Sequence, residues 1–473
     1  MTGIDPRPEA ITQRVVESIS RDDLPLVDDR SRLRYVMNNL ILHIHPSKVS
    51  KASLKFTYTW GLGGLAILLL TILVGTGIML MFVYTPTPET AYTDMLRLQT
   101  EVNFGQLVRN LHHWSGNLLV IVVFLHLLRV FFTGGLRPPR EFNWVLGVFL
   151  LLLVVGANFT GYLLPWDQLA YWAVTVGTSL LGYLPLIGEP LARLILGGSE
   201  VSGATLTNFY GLHVAIIPML VFFAGSFHIW RVRKDSLSVP RNLPRRSDPT
   251  ATSATVKAEK EQQEKVPTLP HLVSIEFVFA LVVLALLVLW ASWVNAPLEA
   301  AADPNHSPNP AKAAWYFMGL QELLLHFHPM FGAIVIPALA MVGLLVFPYL
   351  HFDSDSEGIW FRSLKGRRMA WVGAVTALVV TPLLVLLDEY VLDLPALMPS
   401  LPSVISNGWI PLGFVLLSLW LFYVLIKALF RANRDEARQS LFVVLVVSFV
   451  VLTVIGIAFR GEGMMLMLPW EVL

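Results

Sequence analysis

Hydrophobic residues run along this chain in long unbroken blocks, each closed by a cluster of polar or basic residues. The blocks lie near 60–83, 111–133, 144–164, 210–232, 272–294, 331–350, 370–390, 409–430 and 441–459. A helix of about 20 residues crosses the roughly 30 Å hydrocarbon layer of a bilayer. Nine blocks of that length predict nine transmembrane helices. A membrane β-barrel would instead alternate apolar and polar residues in strands of about ten. The predicted fold class is an all-α polytopic membrane protein.

The polar stretches between the blocks divide the chain. Residues 1–59 read as an arm with an amphipathic surface helix near 30–45. Residues 233–270, rich in Pro, Ser, Thr and charge, read as a flexible linker. The division is therefore an arm (1–59), a four-helix part (60–232), the linker, a three-helix part (271–390) and two further helices (391–473). The long loops 165–209 and 295–330 have room for short surface helices, and no fixed-period repeat is present.

Composition agrees with a membrane protein. The 473 residues are 55% hydrophobic and 14% charged, where soluble domains carry about a quarter charged residues. A net charge of +1 selects no class of partner, and no nucleic-acid partner is expected. Lys and Arg gather in the arm (Arg30, Arg32, Arg34, Lys48, Lys51, Lys55). They gather again after the second block (Arg137, Arg140), the fourth (Arg231, Arg233, Lys234), the sixth (Arg362, Lys365, Arg367) and the eighth (Lys427, Arg431, Arg434). By the positive-inside rule the N-terminus is cytoplasmic and the C-terminus outside, the parity that nine spans require. The polar first 30 residues do not read as a cleavable signal peptide. With no cysteine, this chain forms no disulfide, thiolate metal site or thioether-linked haem.

Four histidines interrupt the apolar blocks: His112 and His126 in the second, His213 and His228 in the fourth. An ionisable residue inside a membrane is a functional suspect. Fourteen residues of helix amount to about 21 Å of rise and about −40° of rotation; fifteen amount to about 22 Å and +60°. Each block therefore carries two histidines on nearly one face. The two blocks run in the same direction, so facing each other they offer two histidine pairs at two depths. That is the donor set of bis-histidine haem ligation. A single zinc ion would need its ligands to converge on one point. Gly63 and Gly77 in the first block and Gly147 and Gly161 in the third repeat the fourteen-residue spacing, leaving room for a flat ligand against the backbone. Close helix packing for the glycines and hydrogen bonds to neighbouring helices for the histidines are the alternatives.

From Gly63 to Lys234 the chain resembles cytochrome b of the quinol-oxidising cytochrome bc and bf complexes. The likeness rests on "RNLHHWSGN", "LHLLRVFFTGG", "PREFNWVLG", "GYLLPWDQLAYWA", "TLTNFYGLH" and "FHIWRVRKD", in that order. The spacing of fifteen and the "PWDQ" are nearer the plastid and cyanobacterial branch than the mitochondrial one. The resemblance implies a four-helix dihaem bundle followed by three plus two transmembrane helices, with two non-covalent b-type haems. His112 with His213 would hold the outer one, and His126 with His228 the inner one. It makes His113 non-ligating and Arg109 a haem-propionate partner. It further implies a Rieske iron–sulfur protein and a c-type cytochrome as partners, a quinol/quinone substrate, a homodimeric complex and a bacterial inner membrane. Gly61 stands where the plastid branch has the cysteine that attaches a third haem, so no covalently attached c-type haem is expected.

The three-helix part resembles the separate small subunit of plastid-type complexes. There the family has Pro-Glu-Trp-Tyr, whose Glu hydrogen-bonds quinol and takes its proton. This chain reads Ala313-Ala314-Trp315-Tyr316. The resemblance gives Tyr162, Trp315 and Tyr316 as quinol-site residues and removes the carboxylate. Glu322 and His326, four apart and on one helical face, could supply another proton path, as could His328. The alternative for the pair is an exposed ion pair on a surface helix. Asp167 could accept a proton or cap a helix. The last two helices read as lipid-facing or subunit-docking.

Two alternatives remain at this level. A non-bifurcating dihaem anchor between the quinone pool and another redox partner is favoured by the loss of the carboxylate at 314. A haem-free transporter would use the histidines for protons.

Overall fold

The computed structural model describes residues 27–38, 42–235, 237–238, 264–350, 361 and 364–472. Among the described residues nine helices are long and apolar enough to cross a membrane. They are Leu62–Met81, Gly105–Phe132, Glu141–Tyr162, Gly203–Asp235, Thr268–Trp293, Phe331–Tyr349, Leu364–Tyr390, Ile405–Phe430 and Arg434–Ala458. They are called the first to ninth spans. The chain is an all-α integral membrane protein.

Three spans share a local irregularity with a legible cause. The π-turns Leu212–Ile216, Phe331–Val335 and Ile405–Trp409 are each followed by Ile-Pro: Ile217-Pro218, Ile336-Pro337 and Ile410-Pro411. Proline lacks the N–H that would bond the preceding turn, and its ring crowds the carbonyl four residues back. A widened turn absorbs both. In the fourth span that widened turn carries His213. The fourth span also starts earlier than its apolar block, at Gly203, because Ser202 and Thr205 form a capping box.

The chain divides into two compact units. One comprises residues 1–60 and 229–279. The expected surface helix is present as Asp29–Asn38. Strand β1 (Lys48–Ser50) pairs antiparallel with β2 (Lys265–Pro267), with Lys48 opposite Pro267. His45 Nε2 lies 2.8 Å from Glu276 Oε2, Lys51 Nζ 3.1 Å from Glu264 Oε1, and the Tyr58 hydroxyl 3.0 Å from Ser238 Oγ. The end of the stretch read as a linker is thus paired with the arm; residues 239–263 lie outside the described residues.

The other unit holds residues 61–228 and 280–473. The first span packs along the second, and the ninth packs against the seventh, the eighth and the short helix Met318–His326. A lipid-facing role suits the eighth span, where Phe414, Leu417 and Trp420 are exposed. The ninth exposes one face, with Leu445, Val450 and Val454, and packs the other. There Phe442 stacks on Phe131 of the second span with ring centroids 3.8 Å apart, within a buried cluster that includes Trp144, Val148 and Val443. Apolar composition alone does not separate lipid contact from helix contact.

Candidate functional site

The histidines of the second and fourth spans meet in two pairs. The rings of His112 and His213 have centroids 6.0 Å apart at 72°. His126 and His228 form the second pair, close enough to sense one another's charge.

Each ring rests against one of the four spaced glycines. A Cβ built at Gly63 would lie 3.5 Å from His126 Cε1, at Gly77 3.2 Å from His112 Cε1, at Gly147 3.5 Å from His228 Cε1, and at Gly161 2.5 Å from His213 Cε1. A side chain at Gly161 cannot coexist with His213 as placed.

The ring nitrogens show which faces of the imidazoles are free. His213 Nδ1 donates to the Ala157 carbonyl at 2.9 Å, with Thr160 Oγ1 at 3.5 Å. His112 Nδ1 lies 3.0 Å from Thr76 Oγ1, whose own proton goes to the Ile72 carbonyl at 2.7 Å. The threonine oxygen therefore accepts from His112. In both rings Nδ1 carries the hydrogen and Nε2 keeps its lone pair, the arrangement that orients a ligating histidine. His126 and His228 leave Nδ1 buried without a partner; the Asn143 carbonyl lies toward His228 without completing a hydrogen bond. The sequence reading missed Thr76 and Thr160. Their signal was present: in "VGTGIM" and "NFTGYL" a threonine immediately precedes the glycine, whereas Gly63 and Gly147 follow leucine.

Among the described residues no group of three or more His, Asp or Glu side chains could hold a metal ion by itself. Two imidazoles are a poor cage for a bare ion. They suit a metal that arrives with its equatorial positions filled by a flat macrocycle, and the glycines make room for the imidazoles that would hold it. The residues present fit haem.

Around the His112 end, side chains of the second span are stitched to the chain after the fifth. Arg109, buried, donates to the carbonyls of Ala296 and Pro297 at 2.8 and 2.6 Å. Asn110 bonds the Ala291 carbonyl and the Ala296 N–H, each at 2.8 Å, and Trp114 bonds the Val294 carbonyl at 2.8 Å. These contacts begin the loop 295–314, which leads into Trp315. The Trp315 indole N–H donates to Asn117 Oδ1 at 2.5 Å, and the Asn117 amide donates to His113 Nε2 at 3.1 Å.

Tyr316 has a buried hydroxyl with no partner, and Tyr162 is its electrostatic neighbour. Burial first, and Tyr162 second, push the Tyr316 phenol above its ordinary pKa. Phe317 packs on Phe159, with ring centroids 5.6 Å apart. The structure thus brings Tyr162, Trp315 and Tyr316 to one neighbourhood near the His112–His213 pair. Asp167 is the N-cap of Gln168–Ser179: its Oδ1 accepts from Ala170 N at 2.9 Å and its Oδ2 from Glu299 N at 3.1 Å. Burial raises its pKa, opposed by those two hydrogen bonds.

Glu322 and His326 share one face of the helix Met318–His326, with His326 Nε2 3.3 Å from Glu322 Oε1. They are not an exposed pair: Glu322 is 0% and His326 9% exposed. Both turn inward because Arg460, which follows the ninth span, reaches them. His328 lies beside Tyr183 and Phe331, away from this cluster.

The family model described as cytochrome b/b6/petB matches residues 47–236. The chain is 45% identical over 179 residues to cytochrome b6 of Heliobacterium modesticaldum, a match covering 38% of this chain and 84% of that one. It is 42% identical over 179 residues to cytochrome b6 of Porphyra purpurea, covering 38% and 83%. A solved structure described as a hyperthermophilic respiratory Complex III shares the fold. Its TM-score is 0.62 at 20% identity, over 93% of this chain and 98% of the other.

Proposed function

Because the chain belongs to the cytochrome b/b6 family, we propose that it is the dihaem membrane core of a quinol-oxidising bc-type complex. The observation that carries this reading is the double arrangement of histidine pair and glycine pair: His112–His213 with Gly77 and Gly161, and His126–His228 with Gly63 and Gly147. Haems held there by the four histidines would supply two one-electron carriers at two depths of the membrane.

The chain's own residues do the rest. Thr76 and the Ala157 carbonyl hold the outer imidazoles with Nε2 free. Arg109 supplies a buried positive charge at the same end of the second span, suited to a propionate. Quinol gives up two electrons and two protons on becoming quinone. The aromatic faces of Trp315 and Tyr316 would bound its ring, and the unpartnered Tyr316 hydroxyl would hydrogen-bond a quinol oxygen, with Tyr162 beside it. The electron acceptors are a Rieske iron–sulfur protein, which passes its electron to a c-type cytochrome, and a quinone at the opposite membrane surface. The homodimeric complex would sit in a bacterial inner membrane, N-terminus cytoplasmic and C-terminus outside. Oxidising quinol outside and reducing quinone inside contributes to the proton-motive force.

One observation favours a second reading. Ala314, 6% exposed, brings no base to the quinol ring, so a dihaem anchor that passes electrons without bifurcation is the alternative. A reduced-minus-oxidised spectrum with haem extraction, then a quinol titration under an outer-site inhibitor, separates the two. Two b haems per chain with an inhibitor-sensitive acceptor branch support bifurcation. Two haems without that branch support the anchor, and no haem removes both.

A further inference from the structure

The segment that ends and follows the ninth span grips the Trp315–Tyr316 element from both sides. Before it, Lys312 Nζ donates to the Ile457 carbonyl at 2.9 Å, and Gly463 N donates to Asn309 Oδ1 at 2.6 Å. After it, Arg460, 1% exposed and the largest fully buried side chain among the described residues, forks onto Glu322. Its Nε lies 3.1 Å from both carboxylate oxygens, and its Nη2 lies 2.5 Å from Oε1. Its Nη1 donates to Glu389 Oε2 at 3.0 Å and to the Met464 carbonyl at 2.8 Å. The backbone turns back on itself around it, bridging Arg460 to Leu466, with Met467 N bonded to the Phe459 carbonyl at 2.9 Å. His326 completes the cluster, with Nδ1 2.7 Å from Asp388 Oδ2 and Nε2 3.3 Å from Arg460 Nη2.

The sequence offers Glu322 and His326 as substitutes for the carboxylate missing at 314. Their surroundings suit another task. Burial opposes the ionisation of Glu322, but hydrogen bonds from His326 and Arg460 outweigh it and hold the carboxyl below its ordinary pKa. Burial also opposes the His326 cation, but Asp388 and Glu322 outweigh it and raise the imidazole to about 9. A carboxylate with both oxygens on a guanidinium is a weak base, and an imidazolium has no free nitrogen.

We propose that Arg460 is a positioning residue for the quinol pocket. It acts through Glu322 on the short helix Met318–His326, which continues directly from the turn Trp315–Phe317. The rise of a helix puts Glu322 about 9 Å along the axis from Tyr316. The fork therefore fixes the aromatic pair from one side while Ile457 and Gly463 fix the loop from the other. Gly319 lets this helix lie flat on the ninth span: a Cβ there would meet Thr453 Oγ1 at 2.7 Å. The inference rests on the quinol-site reading above.

Removing one charge from a buried pair strands the other and can unfold the protein, so two variants are needed. Arg460→Lys keeps the charge and loses the fork. The double variant Glu322→Gln with Arg460→Met removes both charges of the fork; His326 keeps Asp388, and Glu389, whose side chain is 24% exposed, is left to solvent. The full complex is assayed for quinol KM and kcat across pH, haem content, and amide exchange over 315–321. Both variants are expected to raise KM about tenfold, with kcat within about twofold and haem unchanged, and to speed exchange over 315–321. A fall in kcat with a shifted pH profile and unchanged KM would make Glu322 a proton carrier and overturn the proposal. Loss of haem and stability with KM and exchange unchanged would also overturn it, as a structural role only. If the wild type shows no inhibitor-sensitive quinol oxidation, the quinol reading itself fails, and the exchange data still report whether Arg460 fixes the segment.

Discussion

Gly161 lies so close against His213 that a Cβ on it would stand 2.5 Å from the ring's Cε1. Real Cβ contacts do not reach that distance, so Gly161→Ala must push away either the imidazole or the third span. The expected result is loss of about half the haem per chain, since the second pair is untouched. Gly147→Ala, whose Cβ would meet His228 at an ordinary 3.5 Å, is expected to lose less. Haem extracted per chain reads both variants, and an unchanged ratio in Gly161→Ala would count against the cradle.

Thr76 fixes His112 by accepting its Nδ1 hydrogen. Thr76→Val keeps the shape and removes the acceptor. Losing a partner of this kind costs about 10- to 100-fold in affinity for the metal group. Competition for haem by an apo-globin acceptor would show it, with one of the two haems leaving first. Equal release rates in wild type and variant would deny Thr76 this role.

The Glu322–His326–Arg460 cluster has a pH signature with a definite sign. His326 is raised to about 9 from an ordinary 6.5. Its contribution to stability is complete below the ordinary value and disappears as pH climbs through about 9. Glu322 is lowered, so its contribution is complete above its ordinary value of 4.5 and disappears in acid. Thermal unfolding of the detergent-solubilised protein should weaken on both sides of neutrality. His326→Gln should remove the alkaline limb and shrink the acid one, because His326 is one of the two partners that hold Glu322 low; an alkaline limb that survives the substitution must come from another group.

Asp167 caps Gln168–Ser179 and also holds the Glu299 N–H. Asp167→Ala should cost about 1 kcal/mol for the cap, and more if the buried Glu299 amide is left unpaired. Asp167→Asn should retain most of the stability, because asparagine caps as well as aspartate. The two melting temperatures, compared at one pH, check this.

Much of the architecture could be read directly from hydropathy, because a bilayer demands one long apolar helix per crossing. The start of the fourth span at Gly203 could not, because a capping box rather than an apolar residue begins it. The histidine and glycine spacings were visible because helix geometry turns a count of residues into a depth and a face. Arg460 was not: it stands more than 130 residues from Glu322, as the bond between them records, and only the packing of the ninth span brings them together. The inward turn of Glu322 and His326 was hidden for the same reason, since periodicity shows that two residues share a face but not what that face meets.

The pairing of β1 with β2 joins a strand just ahead of the first span to one just ahead of the fifth. The His45–Glu276 and Lys51–Glu264 contacts and the Tyr58–Ser238 bond reinforce it. The peptide chain between the fourth and fifth spans is therefore not their sole tether. Two separately synthesised polypeptides, divided between residues 239 and 263, would each carry one strand of the clasp and could find each other without a covalent connection. Fusion and fission of the two halves then become near-equivalent ways of making the same protein, and continuity of the chain chiefly sets their one-to-one ratio.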